Sequence, residues 1–445
     1  MIRSRSKKAT LVAAILACLP ATAVADGSEL DALRDRVVQL ESLVRDLVAD
    51  REQTRAELRR VEHESAAALD ERIARTVAEL REVEPETGDG ITFGGYLKSD
   101  FILSDYSGGQ IPSGSIGRDF YVPGTLPVGG ADEDVHADFH ARETRLFLKA
   151  QKTLENGSTL GAYVEGDFLV TGGGNERVSN SYSPRMRHAF VSYEGWLAGQ
   201  TWTTFQNVGA LAENLDFVGP AEGTVFGRQV MVRYTGGPWQ FAIENPETTV
   251  TPFGGGARIA SDDGNLPDFV ARYEARGDWG NFVVTGLLRQ LAYEDPALGI
   301  DDTETSIGLS LSGKMPVGRD DFRWMLTAGQ GLGRYVGLNT ANGAVLTETG
   351  ELEAIDSISG FASYRHLWSD QWRSNATLSF IDVDNDIALT GAGVTAEARS
   401  LHLNLIYNPL PGFDLGVEYI YAERELESGA DGDMNRLQFS TRFAF

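Results

Sequence analysis

Basic residues recur at alternate positions inside segments rich in Leu, Val, Phe and Tyr. Arg145 and Lys149 interleave with Leu146, Leu148 and Ala150, Arg185 and Arg187 flank Met186, Arg233 lies between Val232 and Tyr234, and Arg272 lies between Ala271 and Tyr273. Lys98 shares a face with Asp100 opposite Leu97 and Phe101, Arg142 stands out of phase with Arg145, and Arg289 adds a further cation. A guanidinium stays charged at any physiological pH and offers a planar fork of donors, so a row of them on one face can engage carboxylate or phosphate. The same faces carry Glu143, Glu165, Asp167, Glu244 and Glu274. At least half of the arginines are therefore expected to pair within their own wall, which leaves anion preference as a net effect.

Other chemistry is poorly supported. His136 and His140 stand near Asp132, Glu133 and Asp134, but metal spacing of that kind needs a helix, and this Gly/Pro-rich stretch reads as a solvated acidic loop. Asp382, Asp384 and Asp386 lack the glycine and distal glutamate of a calcium loop. There is no GxSxG, CxxC or phosphate-cradling glycine motif, and no spacing of Ser, His and acid singles out a triad. The expectation is no enzyme, no cofactor and no metal.

The elements that must position these cations are strands. Sixteen strand-length segments run from Ile91 to Phe445, at about 91–104, 139–152, 158–170, 184–194, 197–204, 226–235, 238–246, 267–276, 279–293, 303–314, 321–334, 354–366, 371–382, 397–407, 413–425 and 434–445. In the last, Leu437, Phe439, Thr441, Phe443 and Phe445 alternate with Arg436, Gln438, Ser440, Arg442 and Ala444. A period of two with one apolar face is a strand between two solvents, and an even number of strands can close without an open edge. Short glycine turns at Gly195, Gly236-Gly237 and Gly277-Asp278 alternate with long polar connections. The fold class expected is all-β: a 16-stranded antiparallel transmembrane β-barrel over 91–445. A soluble sandwich or propeller does not explain the asymmetry of the connections.

About sixteen strands leave an aqueous channel unless something fills it. The segment 203–225 follows the fifth strand, is too polar and irregular to be a strand, and is the candidate constriction loop, carrying Glu213, Asp216 and Glu222 with Phe205 and Phe217. Charged strand residues must face the lumen, because Arg or Lys on the lipid side near the midplane costs about 2–4 kcal/mol.

The N-terminal part is different material. Residues 1–25 read as a cleavable signal peptide, with Arg3, Arg5, Lys7 and Lys8, an apolar run from Leu11 to Leu19, and Ala23-Val24-Ala25. A lipoprotein anchored at Cys18, the single cysteine, is the rival, though Leu16 suits a lipobox poorly. Residues 26–84 contain no proline or aromatic residue, and Leu30, Leu33, Val37, Leu40, Val44 and Leu47 form a heptad seam. This predicts an α-helical coiled coil in the periplasm, or else a lone amphipathic helix on another surface. Residues 85–90 are a linker. With Asp+Glu 64 against Lys+Arg 39 the formal charge is −25, which argues against a nucleic-acid partner.

Several segments resemble the DcaP-like trimeric outer-membrane porins: Gly95-Tyr96-Leu97-Lys98, Ala141-Arg142-Glu143-Thr144-Arg145, Val164-Glu165-Gly166-Asp167-Phe168, Arg187-His188-Ala189-Phe190, Glu244-Asn245-Pro246-Glu247-Thr248 and, most specifically, Ala198-Gly199-Gln200-Thr201-Trp202-Thr203-Thr204-Phe205. The resemblance implies a homotrimer of sixteen-stranded barrels in outer-membrane lipid, a periplasmic coiled coil, and passive uptake of small anionic solutes, dicarboxylates among them. It also implies a basic wall at Arg142, Arg145, Arg185, Arg187 and Arg233. Glu143 departs from the family's Gln or Ser and weighs against strong anion selection. The reading is thus an outer-membrane porin for small anions. The alternatives are a general or cation-preferring porin, favoured by Glu143, Glu213, Asp216 and Glu222, and an envelope tether whose helix binds peptidoglycan or periplasmic proteins.

Overall fold

The computed structural model describes residues 89–131, 134–170, 174–175 and 179–445. The signal peptide, the coiled coil, residues 85–88 of the linker, and Asp132 and Glu133 lie outside the described residues. The wall strands are β1 (Gly90–Tyr106), β2 (His136–His140 and Arg145–Thr153), β3 (Thr159–Asp167), β4 (Arg185–Tyr193), β5 (Trp196–Trp202), β6 (Arg228–Gly236), β7 (Trp239–Glu244) and β8 (Asp268–Gly277). They continue as β9 (Gly280–Asp295), β10 (Ile300–Val317), β11 (Asp320–Gln330), β12 (Asp356–Leu367), β13 (Trp372–Asp384), β14 (Thr395–Leu410), β15 (Phe413–Leu426) and β16 (Asp431–Ala444).

Each strand pairs antiparallel with the next, and β16 pairs with β1 from Tyr96↔Ala444 to Tyr106↔Met434. Gly95 and Phe445 exchange backbone hydrogen bonds of 3.2 and 3.1 Å at the seam. The cylinder is therefore closed, with no free edge along this seam. The second strand is interrupted at Ala141–Thr144, where Thr144 N donates to Ala141 O. That break is the reason Arg142 and Arg145 fall out of phase.

Alternation assigns the faces. Phe93, Leu97, Leu146, Leu148, Phe241, Ile243, Leu309, Leu378 and Phe439 are exposed on the outside, as a surface solvated by lipid requires. Trp196–Tyr234, Trp239–Tyr273 and Trp372–Tyr407 ring pairs, at 4.9, 4.8 and 4.5 Å, sit near the short-turn end. They form part of an aromatic girdle there. Inward positions carry Lys98, Asp100, Thr285, Ser310, Thr327, Asn375, Thr377, Glu418 and Gln438, all buried because long connections fold into the barrel.

Two connections build one of the apolar clusters inside the barrel. Residues 203–227 join β5 to β6 and run inside the barrel. Residues 331–355 join β11 to β12, and their strand Ala344–Leu346 pairs with Thr248–Thr251 from the β7–β8 connection. Together they bury Phe205, Val225, Leu287, Met325, Leu332, Tyr335, Val336 and Phe361 in one apolar cluster. Apolar side chains on the inward face, such as Val270 and Leu287, thus find a dry partner instead of channel water.

Candidate functional site

The inner loop, Thr203 to Gly227, is fixed to the wall by side chains that satisfy its backbone. Glu244 accepts from Thr203 Oγ1 at 2.6 Å and from Thr204 N at 2.7 Å. Arg272 donates to Gln206 O at 2.7 Å, and Arg323 to Leu211 O at 2.8 Å. Across the lumen, Glu418 accepts from Leu215 N at 2.6 Å, while Lys98 and Gln438 donate to Leu215 O at 2.5 and 3.0 Å. On the return, Gly223 N donates to Ser379 Oγ at 3.0 Å. A Cβ on Gly223 would stand 2.1 Å from Gly360 O, so only glycine permits this contact between loop and wall.

Beside this loop lies a cavity of about 480 Å³. Lys98, Arg145, Arg323, Arg365, Arg373 and Arg442 line it, against Glu143, Glu213 and Asp414. The four arginines of β11, β12, β13 and β16 alternate with acids. Arg323 meets Asp321 at 2.6 Å, and Arg365 meets Asp321 at 2.5 Å and Glu213 at 3.6 Å. Arg373 meets Glu213 at 2.9 Å and Asp414 at 3.1 Å, and Arg442 reaches Asp414 at 4.0 Å. Tyr96 lies against both Arg442 and Arg145, whose guanidinium carbons are 4.4 and 5.0 Å from the ring centroid. The result is an arc of guanidinium groups over the closing seam, interleaved with fewer carboxylates.

A second cluster stands at the long-loop ends of β3, β4 and β6. Arg185 holds Asp167 through two bonds of 2.9 and 2.8 Å. Arg187 bonds Glu165 at 2.7 Å and Asp167 at 2.9 Å and is 1% exposed. Arg145 approaches Glu165 at 3.5 Å. Phe217 of the inner loop lies under Arg185 and Arg187 at 5.7 and 5.3 Å. The packing is possible because a bulge between Glu165 and Gly166 leaves Arg187 opposite no single partner.

The expected wall residues divide by what they touch. Arg145, Arg185 and Arg187 come together as described. Arg142 joins Asp119 of the first long connection at 2.9 Å and stacks on Tyr182 at 4.9 Å, so it ties connections rather than lining the cavity. Lys98 is 5% exposed and engaged by Glu143, Asp100 and Leu215 O. Glu143 therefore pairs with Lys98 and with Tyr96 Oη at 3.1 Å, and does not sit between two arginines. Arg289 donates to Gly331 O at 3.1 Å and to Glu247 O at 2.5 Å and stands 3.4 Å from Asp268. Arg289 and Arg272 are buried loop anchors, not open wall, because inner connections cover β8 and β9. Arg233 points inward without an ion pair among the described residues, and Lys149 is exposed near the short-turn end.

The three inner-loop acids divide likewise. Glu213 faces the cavity. Asp216 is buried, accepting from Tyr121 N at 2.7 Å and from Val218 N and Gly219 N at 3.1 and 3.0 Å. Glu222 is fully buried, and neither of its oxygens has a hydrogen-bond partner among the described residues. Burial pushes its carboxyl above the ordinary range. Asp216 and Glu222 are thus hidden from a solute. The alternation that marked Arg145 as inward holds equally for Arg323, Arg365, Arg373 and Arg442. These four are the site residues missed from sequence, although Arg442 lies on the inward face of the last strand's own alternation.

A closed sixteen-strand cylinder with an apolar exterior, a polar interior and an inward-folded loop after β5 has the architecture of an outer-membrane channel. The model of the DcaP outer membrane protein family matches residues 124–445, and the chain belongs to that family. Among solved structures, the outer membrane channel DcaP of Acinetobacter baumannii is 20% identical, with 81% of this chain and 98% of that one covered and a TM-score of 0.67. OmpT of Vibrio cholerae is 10% identical over 82% of this chain and 99% of its own, at 0.50. An anion-selective porin from Comamonas acidovorans is 11% identical over 80% and 100%, at 0.48. At these identities the likeness concerns the fold alone. No curated protein sequence matches the chain.

Proposed function

We propose that this outer-membrane channel passes small solutes by diffusion and prefers anions, carboxylates and dicarboxylates among them. The supporting observation is the cavity lining, where six basic side chains meet three carboxylates. A solute in the cavity responds to charges within about 8 Å at physiological salt, so this lining outweighs the distant net charge of the chain. Glu143 is occupied by Lys98, and Asp216 and Glu222 are buried, which removes the main argument for cation preference. The inner loop acts as the constriction. The working form is a homotrimer, made after cleavage of the signal peptide and extended into the periplasm by a coiled coil of residues 26–84.

The test is the reversal potential of single channels in a planar bilayer under a KCl gradient. The expected sign is anion-selective, and it moves toward zero in the double variant Arg373→Gln, Arg442→Gln. A cation-selective sign in the unaltered channel sinks the reading.

A further inference from the structure

We propose that Arg228, stacked on Trp202, is an oxyanion-binding station on the long-loop side of the constriction, separate from the cavity lined by Arg373 and Arg442. The inference rests on the anion-preferring reading and adds a place where a permeating carboxylate or phosphate pauses.

Arg228 is the first residue of β6 and lies directly opposite Trp202, the last of β5. Its guanidinium carbon is 4.9 Å from the indole centroid and 5.9 Å from that of Phe226. Arg187 uses the same indole at 5.4 Å. The aromatic platform is rigid: Trp202 meets Phe226 edge-on at 5.0 Å, and Phe226 meets Phe217 of the inner loop at 5.7 Å. An aromatic face steadies the charge of a guanidinium but leaves its N–H donors, which lie in the guanidinium plane, without acceptors.

Among the described residues no acceptor is supplied nearby. The Arg228 side chain makes no ion pair or hydrogen bond among them, and its Nη1 is buried without a partner there. Every neighbouring carboxylate among the described residues is committed elsewhere. Asp167 receives Arg185 and Arg187, and Glu165 receives Arg187 and the Tyr163 hydroxyl at 2.7 Å. Arg145, Arg185, Arg187 and Arg228 thus share two carboxylates. A desolvated guanidinium with free donors is unfavourable unless something pairs with it. The planar fork of Arg228 matches a carboxylate or phosphate edge and not a cation or a neutral alcohol.

The experiment uses the full-length protein in planar bilayers. Single-channel conductance is followed against concentration in potassium acetate and, separately, in potassium phosphate, to obtain the half-saturating concentration. R228Q, which keeps a polar side chain but removes the charge and the fork, is expected to raise it about tenfold in the salt whose anion the station takes. R228K, a point charge without the fork, is expected to raise it about threefold. The salt with the larger shift identifies carboxylate or phosphate as the preferred ligand. Unchanged half-saturation in R228Q, with Arg373→Gln shifting it, overturns the station while leaving the anion-preferring channel intact. Dissociation of the oligomer in R228Q also overturns it, since the missing partner is then an acid from a second copy. A cation-selective reversal potential in the same unaltered channels removes the parent reading instead.

Discussion

Arg289 on β9 and Arg373 on β13 both project into the barrel, and they do opposite work. Over β7–β10 the inner loop and the β11–β12 connection cover the wall. There Arg289 gives donors to the main-chain carbonyls of Gly331 and Glu247 and faces buried Asp268, while Arg272 divides its donors among Gln206 O, Asn207 Oδ1 and Glu274. At the short-turn ends of β11, β12, β13 and β16 the wall faces the cavity instead, and Arg323, Arg365, Arg373 and Arg442 meet Asp321, Glu213 and Asp414. A carbonyl partner is fixed by the fold and cannot be exchanged. Asp321 is buried, but Glu213 and Asp414 keep exposure to the cavity, and a carboxylate at such a wet surface holds its arginine weakly, by about 0–1 kcal/mol, so a passing anion can compete for it. The inward face alone does not make an arginine part of a selectivity filter; the partner decides.

The largest effect should come from disturbing the covered side. Arg289→Met leaves Asp268 buried without its cation and the carbonyls of Gly331 and Glu247 without a donor. The expected loss is about 3–5 kcal/mol, seen as a fall in the thermal unfolding midpoint of the purified barrel. Arg373→Gln should change stability by about 1 kcal/mol or less, with a correspondingly smaller shift of the midpoint, while altering ion selectivity. If both substitutions lower the midpoint equally, the distinction between anchoring and solute-facing arginines fails.

A smaller effect is expected from the far attachment of the inner loop. Glu418 accepts from Leu215 N and from Asn404 Nδ2 at 2.9 Å, and lies 3.3 Å from His402 Nδ1. Glu418→Ala orphans these donors, at about 1–3 kcal/mol. The loop should then swing from the wall, giving channels of higher and noisier conductance. Asp414→Asn, at the open cavity, should alter selectivity without added noise. Quiet channels of unchanged conductance in Glu418→Ala would show that the other attachments hold the loop alone.

How much of this was legible in the sequence follows from which interactions are local. Strand positions depend on alternation and turn residues, and all sixteen segments fall where the pattern puts them, because a strand between lipid and water is written in its own period of two. The position of the inner loop was legible from its irregularity after the fifth strand. What its acids touch was not: Asp216 and Glu222 look like cavity-lining carboxylates until Tyr121, more than ninety residues earlier, is seen to cover them. Glu143 is the same case in reverse. Its sequence neighbours are Arg142 and Arg145, but strand pairing hands it to Lys98. The four missed arginines were legible, since each obeys the inward phase of its strand.

The smallest predicted effect concerns pH and the buried part of the inner loop. Glu222 belongs to the inner loop and is buried with the hydroxyls of Ser379, Ser400 and Tyr121 and the ring of His402 around it, and Asp216, Glu418, Arg424 and Arg436 complete the charged groups of that region. Desolvation raises its carboxyl above the ordinary value of 4.5. A raised carboxyl binds its proton more tightly in the packed loop than in a released one. The packed loop therefore keeps its full stability below that ordinary value and loses it as pH rises, until the buried group itself ionises. Glu222→Gln holds the same shape with no proton to lose. Between about pH 5 and about pH 9 the thermal midpoint of the unaltered barrel should decline more steeply than that of Glu222→Gln. Parallel curves would mean that Glu222 is already charged in place, held by hydroxyl groups, and that burial in the inner loop does not govern its proton. A steeper curve for the unaltered barrel would extend the contrast between buried and cavity-facing groups from arginines to acids.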